Sequence, residues 1–334
     1  RPGAAPAKDA NEIGRYLADK LLKPIIPHIA GKQQWIISAD GPLATLPFET
    51  LPLGSAAVIA KHDVSYIQSL SMLALLKARE EDNRKIQGRK MLLAMGGAIY
   101  QADSNGAVAR GRHTIKRRAD SGQVDVSQLM SRSRIGVQET GRAFDLMGLQ
   151  WLNLPGTDIE VSKVASIFAD ANASQQQDST LFGKITNFLG IETTSQTTVL
   201  KGEHATEARL QELNQRGELA KYRYLLFSAH GYLSTEEPAL SALVLGQVNK
   251  APGTDGYVTA SEWPAYDLKS DLIVLSACDT GVGKVVQGEG VMGLPYALYV
   301  AGNKNTVLSL WPVVDESTAE FMTSFFGKLK AGVP

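Results

Sequence analysis

The sequence predicts an α/β protein in which helices flank a mainly parallel central sheet in three layers. Strand-like and helix-like segments alternate from residue 157 onward, the order required by parallel strands joined through crossover helices. Several strands are uninterrupted apolar runs, such as LIVL at 272–275, which is typical of strands covered on both faces. The chain has 334 residues, of which 44% are hydrophobic, so it can bury one large core or two moderate ones.

Residues 1–100 predict a helix followed by short strands. Apolar residues at positions 13, 17, 21 and 22 have helical spacing, and a proline at 24 or 27 ends this helix. Strand-like runs follow at QWIISA, AAVIA and DVSYI. A further helix, SLSMLALLKARE, leads to the strand RKMLLAMGG. We treat residues 1–100 as the N-terminal part of the fold.

Residues 101–146 interrupt this pattern. The segment is polar, lacks sustained periodicity and carries eight Arg or Lys residues. A stretch of this length without secondary structure is usually functional or disordered. Two interpretations stay open, a mobile surface insertion and a regulatory or self-cleaved loop.

Residues 147–334 predict the alternating part of the fold. TDIEVSKVASIFAD is a helix with Thr157 as its candidate N-cap, and ATEARLQELNQRG is a helix closed by glycine. The predicted strands are TTVLKG, YRYLLFSAHG, LSALVLG, DLIVLSACDTG and NTVLSLW. We expect GEGVMGLPYALYVAG and DESTAEFMTSFFGKLKAG to be helices packed beside them.

Two of these strands end in a reactive residue. His230 follows YLLFSA, and Cys278, the single cysteine, follows LIVLSA. Because ligands bind beyond the carboxyl ends of the strands in open α/β sheets, the two side chains are candidates for one crevice. A thiolate at Cys278 would be the nucleophile and His230 its acid–base partner. The backbone N–H groups of Gly231 and Cys278 are candidates for an oxyanion hole.

Simpler interpretations compete with this one. A lone cysteine in an apolar strand is more often an inert small hydrophobe. One cysteine and one histidine also lack the four-ligand spacing of a zinc site. The glycines at 281–283 and 288–290 are not followed by the Lys–Ser/Thr pair of a phosphate-binding loop. We therefore expect no metal and no cofactor.

Composition limits the partners and the compartment. Basic and acidic residues number 34 each, so no overall charge favours nucleic acid or an anionic membrane. No apolar run approaches the roughly 20 residues of a membrane helix, and RPGAAPAKDANEIG lacks the apolar core of a signal peptide. A single cysteine excludes an intrachain disulfide and suits a reducing compartment. We expect a soluble, cytoplasmic protein that binds neither nucleic acid nor membrane directly.

Several motifs in order resemble the CHAT family of bacterial and archaeal caspase-like cysteine peptidases, relatives of caspases and separases. They are LLFSAHG, SALVLG, LIVLSACDTGVG, GEGVMGLPYALYVAG and LSLWPVVDESTAEFM, with LPGTDIEV, VLKGEHATEARL and IISADGPLATLPFETLP upstream. The resemblance covers nearly the whole chain except the insertion. It implies a caspase-like fold whose catalytic residues are His230 and Cys278, which makes 147–334 the catalytic part. No acidic third residue is implied, because a backbone carbonyl can orient the histidine.

The resemblance leaves the substrate open. Caspases prefer Asp before the scissile bond, whereas metacaspases and separases prefer Arg or Lys. A basic substrate residue needs a buried carboxylate at the floor of the binding pocket. Asp279, Glu289 and Asp315 are candidates for this carboxylate. Asp315 is also suited to the N-terminus of a helix, where negative charge is favourable. Trp311 is a candidate wall of the substrate groove. No basic cluster lies near the dyad in the sequence, which favours a basic or neutral preference.

These observations predict an intracellular cysteine endopeptidase that cleaves protein or peptide substrates. We expect control by a regulatory protein or by helical repeats like those that precede such domains, and self-cleavage in the Arg-rich insertion is a hypothesis. Two alternatives remain. One is a signalling scaffold that binds proteins through the same fold without cutting them, and the other is a thiol acyltransferase that uses the same dyad.

Overall fold

The computed structural model describes residues 7–101, 116–117, 149–169, 191–234, 237–276, 284–286, 290–309 and 315–333. The chain forms two compact units. One comprises Arg1–Lys77 with Val285–Val291, and the other comprises Ala78–Lys284 with Met292–Pro334. The division predicted at residues 100 and 146 stays a prediction, and the compact units divide at other positions.

The described chain contains both helices and strands, and several strands follow one another without a helix between them. The α-helices are α1 (Ala7–Leu21), α2 (Ile26–Ile29), α3 (Leu70–Arg84), α4 (Pro155–Phe168), α5 (Glu207–Gln215), α6 (Leu294–Val300) and α7 (Asp315–Lys330). The first strands are β1 (Gln34–Ile37), β2 (Pro52–Leu53), β3 (Ala56–Ala57), β4 (Asp63–Tyr66), β5 (Lys90–Ala98), β6 (Lys116–Arg117), β7 (Leu149–Gln150), β8 (Ile191–Thr193) and β9 (Thr197–Gly202). The remaining strands are β10 (Tyr222–Ser228), β11 (His230–Tyr232), β12 (Ala242–Val244), β13 (Tyr257–Thr259), β14 (Leu272–Ser276), β15 (Lys284–Val286), β16 (Gly290–Met292) and β17 (Thr306–Leu308). Short 3₁₀ helices occupy Gly41–Thr45, Phe48–Thr50, Val58–Ala60, Leu219–Lys221, Pro238–Leu240 and Trp263–Ala265.

A six-stranded sheet forms the centre of the second unit. Its spatial order is β17-β14-β10-β5-β9-β8. Neighbouring strands are parallel from β17 to β9, and only the edge strand β8 is antiparallel. The structure therefore confirms the predicted α/β fold with a mainly parallel sheet.

Helices cover both faces of this sheet and complete three layers. On one face, Leu226 and Val274 pack with Val161 and Val164 of α4 and with Phe326 of α7. On the other face, the apolar residues of the same strands pack with α5 and α6; this cluster includes Leu225, Phe227, Ile273, Leu275, Leu210, Leu213, Leu294 and Leu298. Each strand alternates its side chains between the two faces, which explains why the sequence shows continuous apolar runs.

The first unit has its own small core. Leu22, Trp35, Phe48, Leu51 and Val58 are buried together. β1 and β4 pair in parallel in this unit, while β2 and β3 form a short antiparallel pair. The predicted runs QWIISA and DVSYI are thus present as short strands, whereas AAVIA is a strand only at Ala56–Ala57 and continues as a 3₁₀ helix over Val58–Ala60.

Two predicted helix starts are wrong. Thr157 does not cap α4, because the helix already begins at Pro155 after Leu154, a start that proline favours. The segment from residue 288 onward is not helical throughout: β16 ends at Met292 and α6 begins only at Leu294. Gly293 between them has φ 151°, a backbone conformation outside the helical region that glycine tolerates best.

Within the described ranges, no helix combines the length and the apolar character that crossing a bilayer requires.

Candidate active site

The candidate site lies at the carboxyl end of the parallel sheet. β10 ends at Ser228 and β14 ends at Ser276, and these two residues are in register. The N–H of Ala229 continues the pairing by donating to Ser276 O at 3.3 Å, and His230 then begins β11. Cys278 follows Ser276 by two positions in the sequence. Both strands therefore end side by side, as the sequence predicts for neighbouring parallel strands.

Part of the predicted site lies outside the described residues. This holds for Cys278, Asp279, Glu289 and Trp311. Asp315 is the first residue of α7, a position where negative charge is favourable. The roles predicted for these residues therefore stay predictions.

The ring of His230 contacts a backbone carbonyl. Its side chain is almost fully buried, and Nε2 lies 2.7 Å from the backbone oxygen of Leu152. A carbonyl oxygen only accepts hydrogen bonds, so Nε2 must carry the proton that joins them. In the neutral imidazole, Nδ1 is then the unprotonated nitrogen. A carbonyl thus lies where the sequence analysis expects an orienting group, and Nδ1 is the nitrogen suited to accept a proton.

Two aromatic rings hold the imidazole from its sides. The Tyr100 ring meets it edge-on with centroids 4.7 Å apart, and the Trp151 ring lies 5.0 Å away at a tilt of 43°. Trp151 is itself fixed, because its Nε1 donates to the Tyr257 hydroxyl at 2.8 Å. Both rings are buried. His230 consequently has little room to change its rotamer.

The Tyr100 hydroxyl joins the histidine backbone to the next strand. The N–H of His230 donates to this hydroxyl at 3.2 Å, and the hydroxyl donates to Val244 O at 3.0 Å. His230 and Val244 are partners in the β11–β12 pairing. Burial raises the pKa of Tyr100 far above its usual value, so the phenol keeps the proton that this bridge requires.

The pairing of β11 determines the direction of the Gly231 N–H. Leu245 donates to Gly256 O at 2.8 Å and so faces β13. Hydrogen-bonded pairs alternate along an antiparallel ladder, so Leu243 also faces β13. Gly231 pairs with Leu243, and its N–H therefore points away from β12, toward the outer edge of this three-stranded sheet.

A buried carboxylate lies beneath the end of β14. Glu160 of α4 is 2% exposed, and its Oε2 accepts a hydrogen bond from Ser276 Oγ at 3.1 Å. Because Ser276 is the last residue of β14, this bond holds the strand at the point from which the chain continues to Cys278. The described ranges contain no group of three or more His, Cys, Asp or Glu side chains that would hold a metal ion.

The residues that surround His230 were not predicted from the sequence. Tyr100, Trp151 and Leu152 lie immediately before and shortly after the predicted insertion. The sequence feature that could have indicated them is the pair of aromatic residues, Tyr100 and Trp151, at the two borders of a long polar segment. Glu160 was missed because an acidic residue in the first turns of a helix is usually read as favourable helix electrostatics.

Comparison with known proteins agrees with the motifs. The CHAT domain matches residues 11–334, and curated proteins give no match. The match includes both strand ends and the segments that enclose His230. The chain belongs to the CHAT domain family, a caspase-like family related to peptidases.

Proposed function

We propose that the protein is a cysteine endopeptidase in which Cys278 is the nucleophile and His230 the acid–base residue. The observation that carries the proposal is the hydrogen bond between His230 Nε2 and Leu152 O at the end of β10. It leaves Nδ1 as the nitrogen that can accept a proton, on a residue that follows β10, and β10 pairs with the strand that leads to Cys278. The family supports the same assignment, since it is caspase-like.

The proposed reaction uses both residues twice. His230 Nδ1 accepts the thiol proton, and the thiolate of Cys278 attacks the scissile carbonyl carbon to form a C–S bond. The Gly231 N–H, which points away from β12, is suited to donate to the resulting oxyanion together with the Cys278 N–H. The C–N bond then breaks as His230 returns the proton to the leaving amine. Water deprotonated by His230 next attacks the thioester carbon. The C–S bond breaks, and His230 returns the proton to the thiolate, so the acid and the free thiol are released.

The substrate side of the proposal rests on the sequence. Asp279, Glu289 and Asp315 are the candidate carboxylates for a basic residue before the scissile bond, and Trp311 is the candidate wall of the groove. Protein or peptide substrates and a regulatory protein partner are the proposed partners. A cytoplasmic location is part of the same proposal.

The first experiment is a peptide library that varies the residue before the scissile bond, with cuts identified by mass spectrometry. We expect the native protein to cut, Cys278→Ala to be inactive and His230→Ala to lose about 10²- to 10⁴-fold in rate, the range for acid–base catalysis. His28→Ala is the matched control, because His28 is an exposed residue of α2. Cutting that persists in Cys278→Ala would contradict the proposal. If the native protein cuts no peptide even together with a regulatory partner, the scaffold alternative would be favoured.

The same samples test self-cleavage in residues 101–146. A preference for Arg or Lys would make this segment a substrate in its own chain. Intact masses of native and Cys278→Ala protein are compared after incubation. Equal, uncut masses would argue against self-cleavage.

A further inference from the structure

The two borders of the predicted insertion are joined beside His230. The side chain of Asn153 bridges them, because its Oδ1 accepts hydrogen bonds from the N–H groups of Tyr100 at 2.8 Å and Gln101 at 3.2 Å. Its Nδ2 donates to Gln101 O at 3.2 Å. One amide thus satisfies three backbone groups across 52 to 53 positions of sequence. We call Tyr100, Gln101 and Trp151–Asn153 the histidine clasp.

Both sides of the histidine clasp touch His230. Tyr100 contributes its ring and its hydroxyl, and Leu152 contributes the oxygen that receives Nε2–H. Asn153 is directly bonded to Leu152 in the chain, so a shift of Asn153 moves this oxygen. The hydrogen bond is short, and an acceptor displaced by ~1 Å weakens it strongly. The position of Asn153 is therefore transmitted to the imidazole.

We propose that Asn153 and Tyr100 are positioning residues that hold His230 as its Nε2–H tautomer. This inference rests on the proposed role of His230 in peptidase chemistry. Neither residue touches the reacting atoms in this scheme. Asn153 acts through the Leu152 carbonyl, and Tyr100 acts through the backbone N–H of His230 and the edge of its ring.

Other contacts besides those of Asn153 hold the histidine clasp in place. They limit how much kcat should fall when the Asn153 amide is removed. Trp151 is held by Tyr257, and Leu154 is buried in the same cluster of side chains. Removing the amide should therefore loosen the Leu152 carbonyl rather than release the whole segment. We expect Asn153→Ala to lower kcat about 10-fold with little change in KM, less than the 100-fold loss that full misplacement can cause.

The direct readout is the tautomer of His230, measured by ¹⁵N NMR of the full chain labelled at its five histidines. The His230 signals are assigned by their loss in His230→Ala. We expect one tautomer in the native protein and a mixture of both tautomers in Asn153→Ala. Tyr100→Phe keeps the ring but removes the hydroxyl, and we expect it to mix the tautomers as well.

Two further variants separate positioning from stability. Asn153→Asp keeps the acceptor for both N–H groups and should retain the single tautomer. Asn214 is a matched control, because its amide also bridges a remote segment, donating to Ala265 O at 3.1 Å and accepting from the Asp267 N–H at 2.8 Å. Asn214→Ala should lower the unfolding temperature like Asn153→Ala but leave the His230 tautomer unchanged.

The NMR measurement tests the positioning role of Asn153 and Tyr100 independently of peptidase activity. A native protein that cuts no peptide but shows the tautomer change in Asn153→Ala supports the histidine clasp while the proposed function fails. A single, unchanged tautomer in both Asn153→Ala and Tyr100→Phe would overturn it, whatever the activity. Equal losses of kcat in Asn153→Ala and Asn214→Ala would overturn it as well.

Discussion

Glu207 shows how one buried residue makes stability depend on pH. The side chain is 2% exposed, and its Oε2 accepts from the N–H groups of Asp255 at 2.9 Å and Gly256 at 2.8 Å. Burial raises its pKa from 4.5 to about 7, and nearby Asp255 and Glu262 add to this, while the backbone N–H groups oppose it. Its carboxyl group holds the turn that enters β13, the strand whose Tyr257 fixes Trp151.

The sign of the pH dependence follows from the raised pKa of Glu207. Between pH 4.5 and about 7 the folded state keeps a proton that the unfolded state releases. The stabilising contribution of Glu207 is therefore complete below pH 4.5 and is lost as the pH rises through about 7. We predict that the free energy of unfolding of the native protein, relative to Glu207→Gln, falls across this interval. Urea unfolding of both proteins at several pH values measures it, and a constant difference would contradict the prediction.

At the scale of elements, one glycine sets how closely α4 approaches β5. A Cβ on Gly96 would lie 2.6 Å from Thr157 O and 2.8 Å from Val161 Cγ1. The neighbouring Gly97 donates its N–H to Thr157 Oγ1 at 2.8 Å, and this hydroxyl donates to Leu154 O. The sequence predicted Thr157 as a helix cap, whereas its hydroxyl joins the helix to the sheet.

We predict that Gly96→Ala lowers the free energy of unfolding by about 2 kcal/mol, in the range of overpacked cores. The obstacle on one side is a backbone carbonyl, which cannot rotate away as a side chain does. Gly327→Ala is the control, because Gly327 lies in α7 and an added Cβ there meets nothing within 4 Å. This variant should gain about 0.5–1 kcal/mol from helix propensity. Chemical denaturation compares the two, and equal effects would contradict the role of close packing.

At the scale of the whole sheet, a network of ion pairs lies at the amino ends of the strands, opposite the candidate active site. Asp271 lies just before β14 and pairs with Arg89 before β5, Arg223 in β10 and Lys304 before β17. Burial raises the pKa of Asp271, but the hydrogen bond from Arg223 and the charges of Arg89 and Lys304 outweigh it and lower the pKa. This network ties the amino ends of neighbouring strands together.

We predict that Asp271→Asn lowers the free energy of unfolding by about 2 kcal/mol, less than for a fully buried pair, because the Asp271 side chain is 16% exposed and that of Arg223 is 42% exposed. The difference in the free energy of unfolding between the native protein and Asp271→Asn should be present above pH 3.8. It should disappear as the pH falls through the lowered pKa of Asp271. Urea unfolding at pH 7 and at low pH checks both statements. The His230 tautomer should stay unchanged at pH 7, because the network lies at the far end of the strands. A changed tautomer would contradict this separation of stability from the site.

The sequence by itself was sufficient to predict the fold class and the position of His230 just beyond a strand end. Continuous apolar runs predicted strands buried on both faces, and His230 follows the end of one such run. Because ligands bind beyond the carboxyl ends of parallel strands, this position made His230 a candidate site residue. Local signals were less reliable for helix starts, because Pro155 and Gly293 act through backbone conformations that side-chain periodicity does not show.

The surroundings of His230 were decided by tertiary structure alone. Tyr100 and Leu152 are separated by the whole predicted insertion, and only the pairing of distant segments brings them to one imidazole. The Leu152 contact uses a backbone oxygen, which every residue carries, so no residue type marks it in a sequence. Composition and periodicity report local preference and burial, whereas the tautomer of His230 depends on the distance between two particular atoms. That distance is a property of the folded chain, set by the Asn153 bridge and the packing of Trp151.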